Sequence, residues 1–352
     1  RAAAMRVLWR WLRRGLLALL ALALLLALPV IRNETMCRGT PQPQDHAPIV
    51  NQTRAEERTF TTYPEWHIVH AYEDYARVIA TGDPQDFGYF RAIAGFWSAL
   101  CPLTELADEH GGFTTESKLT IYTIGTSFGL EMALKAAYEE SFGRIATWLR
   151  GPQRSALDAL STRQAADYAA FLRQTPWYLW DFTRDAEALD RAPGQGLRDR
   201  ERRLALGLEY RAKAGYARLI ADAVAATGQD ATTLRAVVAG LPPEALAQIP
   251  GVTVIQRHPE GIEIETPRYH ALTVILERIA AEGGQIIEIA GNDDILMTVL
   301  TPDARDIGAR MVLPLQGSPD MRQVLVLKVP DLAARLRDLA RTGATVEHIH
   351  DY

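Results

Sequence analysis

Cysteine is scarce: the 352-residue chain carries only Cys37 and Cys101. That excludes a disulfide-framework fold, and the absence of any CxxC or Cys/His spacing excludes a zinc module. No phosphate-cradling loop and no dinucleotide fingerprint occur, which removes the common nucleotide-dependent classes. Acidic residues are missing altogether from positions 1–32, which hold six arginines. The remainder has 32 basic against 43 acidic residues, a net of −11. An acidic body lacks the positive surface that nucleic-acid phosphates require, so nucleic acid is not an expected partner. No cofactor is implied.

What is present begins with an apolar segment. Arg6, Arg10, Arg13 and Arg14 precede an uncharged run of 17 residues from Gly15 to Ile31, with Trp9 and Trp11 at its edge. This describes a short membrane-spanning helix with interfacial aromatic rings and a cytoplasmic basic flank. A cleaved signal peptide shares the charged flank and apolar core. The run is longer than a usual signal core and lacks a small-x-small cleavage site, which favours an uncleaved anchor. The Ala/Leu/Arg-heavy composition reads as bacterial, so the expected location is the inner membrane, single-pass, with the bulk of the chain periplasmic. There, Cys37 and Cys101 are either a bridge or two buried thiols.

The chain divides into a flank and anchor (1–34), a polar, proline-containing linker (35–60), a helical domain (61–247) and an α+β domain (251–352). Thr62 and Glu65 have capping-box spacing around Pro64, and Trp66, Val69, Tyr72, Ala76 and Ile79 follow at helical intervals. Further helices are predicted over 87–106, with a break near Pro102, and over 115–149 and 198–226. From Gly251 the period falls to two. VTVIQR and IEIET flank His258–Gly261 as a hairpin, and QIIEIA and ILMTVLT flank Gly291–Asp294 as another. The strand-helix-strand pattern IEIET to IIEIA recurs as VLVLKV to VEHIH, and paired units of this kind build a ferredoxin-like α+β sandwich. MVLPL at 311–315 is an extra strand.

Gly125-Thr-Ser127-Phe-Gly129 has the spacing of a nucleophile elbow. LTIYTI precedes it, LEMALKAAYEE follows it, and His110-Gly111-Gly112 lies upstream. Over about twenty residues this resembles the lipases and esterases, and the resemblance implies Ser127 as nucleophile with an oxyanion loop at the glycines. Only 12 residues separate Gly112 from Gly125, too few for the strand-helix-strand excursion of about thirty residues that the fold needs. Phase points elsewhere: Glu116, Thr120, Thr123, Ser127, Glu131, Lys135 and Glu139 recur at helical spacing. The expectation is a continuous, mostly buried helix, with Gly125 and Gly129 on a small-residue ridge. Ser127, Glu131 and Lys135 share a polar stripe, read first as a structural ion pair or solvated groove and alternatively as a ligand-binding cavity. A second membrane span over 119–138 is an alternative made costly by its two charges.

Histidines supply the remaining chemistry. His67, His70 and Asp74 lie on one helical face at metal-ligand spacing, though Arg77 on that face favours a solvated surface. His348 and His350 alternate along a strand, so their rings point to one side and are candidate metal ligands if Asp351 or the terminal carboxylate supplies a third; the favoured expectation is an exposed terminal strand. The aromatic clusters around Tyr63–Tyr75, Phe87–Trp97 and Trp177–Phe182 supply core, with some rings available to a bilayer or partner. The function expected from these features is a non-catalytic envelope module that binds a protein or a small ligand. A serine hydrolase using Ser127, or a metal or haem protein using His67 and His70, are the alternatives.

Overall fold

The computed structural model describes residues 2–43, 45–227, 231–303, 305 and 307–352. Helix α1 (Ala2–Met36) contains a stretch, Trp9–Met36, long and apolar enough to cross a membrane. Leu16, Leu20, Leu24 and Leu25 stand exposed on it. Its last turns are fastened to the body. Asn33 donates to the hydroxyls of Thr104 (3.0 Å) and Tyr122 (3.1 Å), Glu34 accepts from Lys118 and Tyr122, and Cys37 forms a disulfide with Cys101.

The described residues between 37 and 57 adopt no helix or strand, as the prolines lead one to expect, yet they are not a free linker. The Gly39 amide donates to Asp108 (2.9 Å), those of Ile49 and Val50 to Glu288 (2.7 and 3.0 Å), and that of Arg54 to the Ala290 carbonyl (2.8 Å). Backbone groups that no ladder satisfies are thus satisfied by the body, which pins the segment across it.

The helical region comprises α2 (Arg58–Thr81), α3 (Tyr89–Glu109), α4 (Thr115–Tyr138), α5 (Arg144–Arg150), α6 (Ala156–Leu172), α7 (Phe182–Arg191) and α8 (Leu197–Thr227). Helix α3 continues through Pro102, where a break was expected. Burial of Leu100, Leu103 and Leu106 on either side outweighs the one lost backbone bond. Gly111 and Gly112, at φ 99° and 80°, turn the chain from α3 into α4, so the His-Gly-Gly stretch is a helix-hairpin loop. Thr114 caps α4 by accepting from the Ser117 amide (3.1 Å), and the helix runs unbroken through Ser127, which is exposed at mid-length. The strand-to-helix bend of an elbow is therefore not formed at this position. A five-residue π-turn, Glu139–Gly143, joins α4 to α5.

The sheet region follows as β1 (Thr233–Ala239), α9 (Pro243–Leu246), β2 (Thr253–Arg257), β3 (Ile262–Pro267), α10 (His270–Ala281), β4 (Gln285–Ile289), β5 (Asp294–Thr301), β6 (Met311–Pro314), β7 (Met321–Lys328), α11 (Val329–Thr342) and β8 (Thr345–His350). Two four-stranded sheets result, ordered β2-β3-β1-β4 and β6-β7-β5-β8, with every neighbouring pair antiparallel. The repeated strand-helix-strand units are present. In each sheet an earlier strand, β1 or β5, is inserted between the two strands that flank the helix.

Two expectations need correction. Strand β1 lies inside the range read as helical. The pair β4 and β5 is not a hairpin, because Ala290 (φ 51°) and Gly291 (φ 83°) redirect the chain and β5 founds the second sheet. A side chain at Gly291 would collide with Thr53, so the pinned segment 46–54 helps enforce that turn.

The second sheet is a wall shared by two cores. Ile295, Met297 and Val299 of β5 pack in a core with α10, α11 and the first sheet, while Leu296 of β5 and Val324 of β7 join the core of the helical region. A strand buried on both faces reads as the continuous apolar run ILMTVL, without alternation.

The α3–α4 contact generates a paired test. A Cβ at Gly125 would collide with the buried ring of Phe96, whereas one at Gly129 would meet only Ile93 at 3.8 Å. We expect Gly125→Ala to lower the unfolding free energy by about 1–3 kcal/mol through overpacking, and Gly129→Ala to raise it by up to about 1 kcal/mol through helix propensity. Chemical denaturation of the two variants checks this, and equal effects would show that the helices do not meet here.

Candidate functional site

Helix α2 is buried on nearly every side, so its polar residues must find partners inside the protein. His67 turns toward α3: its Nε2 meets the Ala92 carbonyl at 2.9 Å, and its ring lies edge-on to Phe96 and Phe128. Gly95 makes this approach possible, since a Cβ there would sit 2.8 Å from the imidazole. His70 turns the other way, toward β8, with Nδ1 3.1 Å from Glu73 and 3.4 Å from Glu347. Asp74 accepts from Arg77 (2.7 Å) and from the Gln316 amide (3.0 Å). The three residues thus diverge to separate partners. All three are buried, correcting the expectation of a solvated face.

Strand β8 meets α2 through a seam of aromatic and charged groups. Register against β5 slips by one residue between His348 and Val346, a bulge at Glu347. Glu347 is held by both nitrogens of a bidentate Arg322 guanidinium at 2.5 and 2.6 Å. Glu73 accepts from Arg173 at 2.5 Å. His348 stacks on Trp66 with ring centroids 3.4 Å apart and lies 4.8 Å from His350, so the two rings do share a side. Both are fully buried, not exposed, because α2 covers this face of the terminal strand. Thr273 and Thr62 meet their Nδ1 atoms at 3.2 and 3.3 Å. Thr59 completes the seam by donating to the His350 carbonyl (2.6 Å) and accepting from the Leu296 amide (3.1 Å).

One nitrogen on each of these four histidines, Nδ1 of His67 and Nε2 of His70, His348 and His350, has no hydrogen-bond partner among the described residues. Burial drives His67 down to about 4. Burial, and then the neighbouring imidazoles, hold His348 well below the ordinary histidine range; burial, His70 and the Arg322 charge do the same for His350. His67, His348 and His350 are therefore neutral rings at neutral pH. Burial opposes ionisation of Glu73, but the hydrogen bond and charge of His70, then Arg173, outweigh it and bring Glu73 down to about 2.

His70, Glu73 and Glu347 present ligand atoms within 4.8 Å of one another, as do Glu56, His110 and Asp294. In the first set both carboxylates already hold guanidinium groups, which supply the positive charge a metal ion would bring. In the second, Glu56 accepts from the amides of Asp293 and Asp294 (3.3 and 3.0 Å) and Asp294 from Lys328 (2.6 Å). A metal would have to displace these partners in either place.

His110 and Asp294 of the second set line a cleft of about 570 Å³ formed by residues 42, 43, 45 and 46, the end of α3 and the sheet of β5 and β7. Asp45, Glu109, Asp293 and Asp294 line it, against Arg310 and Lys328, with His46 and His110 between. His110 Nδ1 lies 3.2 Å from Glu56 and Nε2 4.0 Å from Asp294. Burial opposes its charge, but the bond to Glu56 and the charges of Glu56 and Asp294 raise it above the usual histidine range.

The polar stripe on α4 proves to be a charge network. Lys135 pairs with Glu209 at 2.9 Å, and Lys213 pairs with Glu131 at 2.7 Å and with Glu209 at 3.1 Å. These bonds lace α4 to α8, and Ser127 takes no part in them. Local spacing carried no signal for Glu56, Asp294 or Arg322, whose partners lie far along the chain. No protein-family model, curated protein or solved structure matches the chain.

Acid should open the seam. Because His67, His348 and His350 are neutral when folded, the unfolded chain binds more protons once pH falls below about 6.5. Their contribution is complete above that pH and disappears toward the folded value, about 4 for His67. Unfolding free energies measured from pH 7.5 to 4.5 should fall steeply below 6.5, and a flat profile would contradict neutral buried rings. Separately, Arg322→Met leaves Glu347 buried without its partner and should cost about 3–5 kcal/mol in a denaturation series, most of it recovered in R322M/E347L.

Proposed function

We propose that the protein is a single-pass envelope component, held in a bacterial inner membrane by α1 with its body in the periplasm, and that it acts without catalysis as a binding or assembly module. Its ligand site is the cleft beside His110. The observation that carries this reading is the cleft itself, whose volume falls within the range of small-ligand pockets and whose walls bring charged groups of both signs to solvent. Carboxylates and cationic side chains share its lining, so the cleft suits a polar, charge-bearing ligand. The disulfide agrees with an oxidising compartment. Ser127 on an uninterrupted helix, and carboxylates committed to arginine or backbone amides, support binding over turnover.

A photoreactive residue in place of Asp45, inside the cleft, should yield a discrete adduct in intact cells, and that adduct should vanish when Asp293→Asn and Asp294→Asn are combined. The same residue at Arg278, exposed on α10, should yield none. Identical adducts from both positions, or none from the cleft, would sink the reading.

A further inference from the structure

The path of α1 past the α3–α4 hairpin fixes which side of the body faces the bilayer. Pro29 and Arg32 lie beside Trp97, Asn33 bonds Thr104, Cys37 joins Cys101, and Gly39 reaches Asp108. The chain thus leaves α1 running in the same direction as α3. Helix α4 runs back: Tyr122 meets Asn33 and Glu34 at the far end, then Gly125 packs on Phe96 and Gly129 on Ile93. The last turns of α4, and α5 after them, therefore head toward the side from which α1 arrives. Residues 26, 27, 29 and 30 of α1 are partly covered while Leu24 and Leu25 are exposed, so α1 parts from the hairpin obliquely.

On that returning limb large apolar side chains stand exposed, beside the exposed Glu140, Ser141 and Arg144. Leu134 is 63% exposed, Phe142 69%, Ile145 56%, Trp148 77% and Leu149 54%. Trp148 is as open as Trp9 and Trp11 on α1. The π-turn at Glu139–Gly143 supplies the extra residue that carries the stripe from α4 onto α5, and it is locked by the paired guanidinium of Arg202 on Glu139. A short helix with a tryptophan, bulky aliphatics and an arginine at each end is suited to the level of lipid headgroups.

We propose that the limb formed by the end of α4 and by α5 is a second membrane contact, lying in the bilayer interface beside the anchor through Phe142, Ile145, Trp148 and Leu149. The inference rests on reading α1 as the membrane anchor. Arg144 is neutralised by Glu140, and Arg150 by Asp83 and Asp158, so the contact is apolar and requires no anionic lipid.

The test uses the full chain, disulfide intact, in phosphatidylcholine vesicles, with an environment-sensitive dye on one introduced cysteine at a time: Leu20→Cys in α1, Phe142→Cys or Trp148→Cys in the limb, and Arg278→Cys on the exposed face of α10. Nitroxide-bearing lipid should quench the dyes at 20, 142 and 148 at least threefold more than the dye at 278, and aqueous iodide should quench only 278. If 20 is lipid-quenched while 142 and 148 follow 278, the limb proposal falls and the anchor stands. If 20 also follows 278, the anchor reading falls with it. Shielding of 142 and 148 from both quenchers, with energy transfer between differently labelled copies, would assign the face to self-association and overturn the proposal.

Discussion

The ion pair between Arg322 and Glu347 is the constraint on which the rest of the structure depends. It sits where α2 crosses the face of the second sheet, in a place that water does not reach. Burial penalises both charges; His70 and the bidentate Arg322 guanidinium outweigh that penalty and hold the Glu347 carboxyl below its ordinary range, and Glu347 in turn compensates the buried guanidinium. Around that centre, His348 and His350 remain uncharged and pack as aromatic surfaces against Trp66. Helical and sheet regions are joined here through a shared polar seam as well as through apolar contact. A seam that demands specific partners also specifies a single docking arrangement, because sliding α2 by one turn would strand several buried charges at once.

Legibility in the sequence followed the range of the forces involved. The long helices were readable because an apolar period of 3.6 is local, and α4 in particular was fixed by its phase through Ser127. The hairpin of β2 and β3 was readable from its turn. Strand β1 was not, since its AVVA run lies after a long helical stretch and its partners β3 and β4 lie far ahead. The pairing of β4 with β5 was misread because the glycine turn between them directs the two strands into different sheets, a decision made by Thr53 and its neighbours pinned nearby. Exposure was the other failure. His348 and His350 occupy a terminal strand, and only the three-dimensional path of α2 covers it.

The same logic separates the two clusters that combine histidine with carboxylates. In the seam, each acid is answered by arginine from a remote segment, which makes the cluster an internal joint. Beside the cleft, Glu56 is tied to backbone amides and to His110, while His110 and Asp294 line the cleft wall. Sequence spacing singled out His67 and His70 as candidates while placing them on a solvated face. It had no means of weighing accessibility.

The bridge between Cys37 and Cys101 also sets a mechanical path. A pull exerted between α1 and the body travels from α1 through sulfur directly into α3. The segment from 38 to 57, though it follows α1 in the chain, is bypassed by that force. Its described residues can therefore stay seated across the sheet, walling the cleft, while the molecule is under tension.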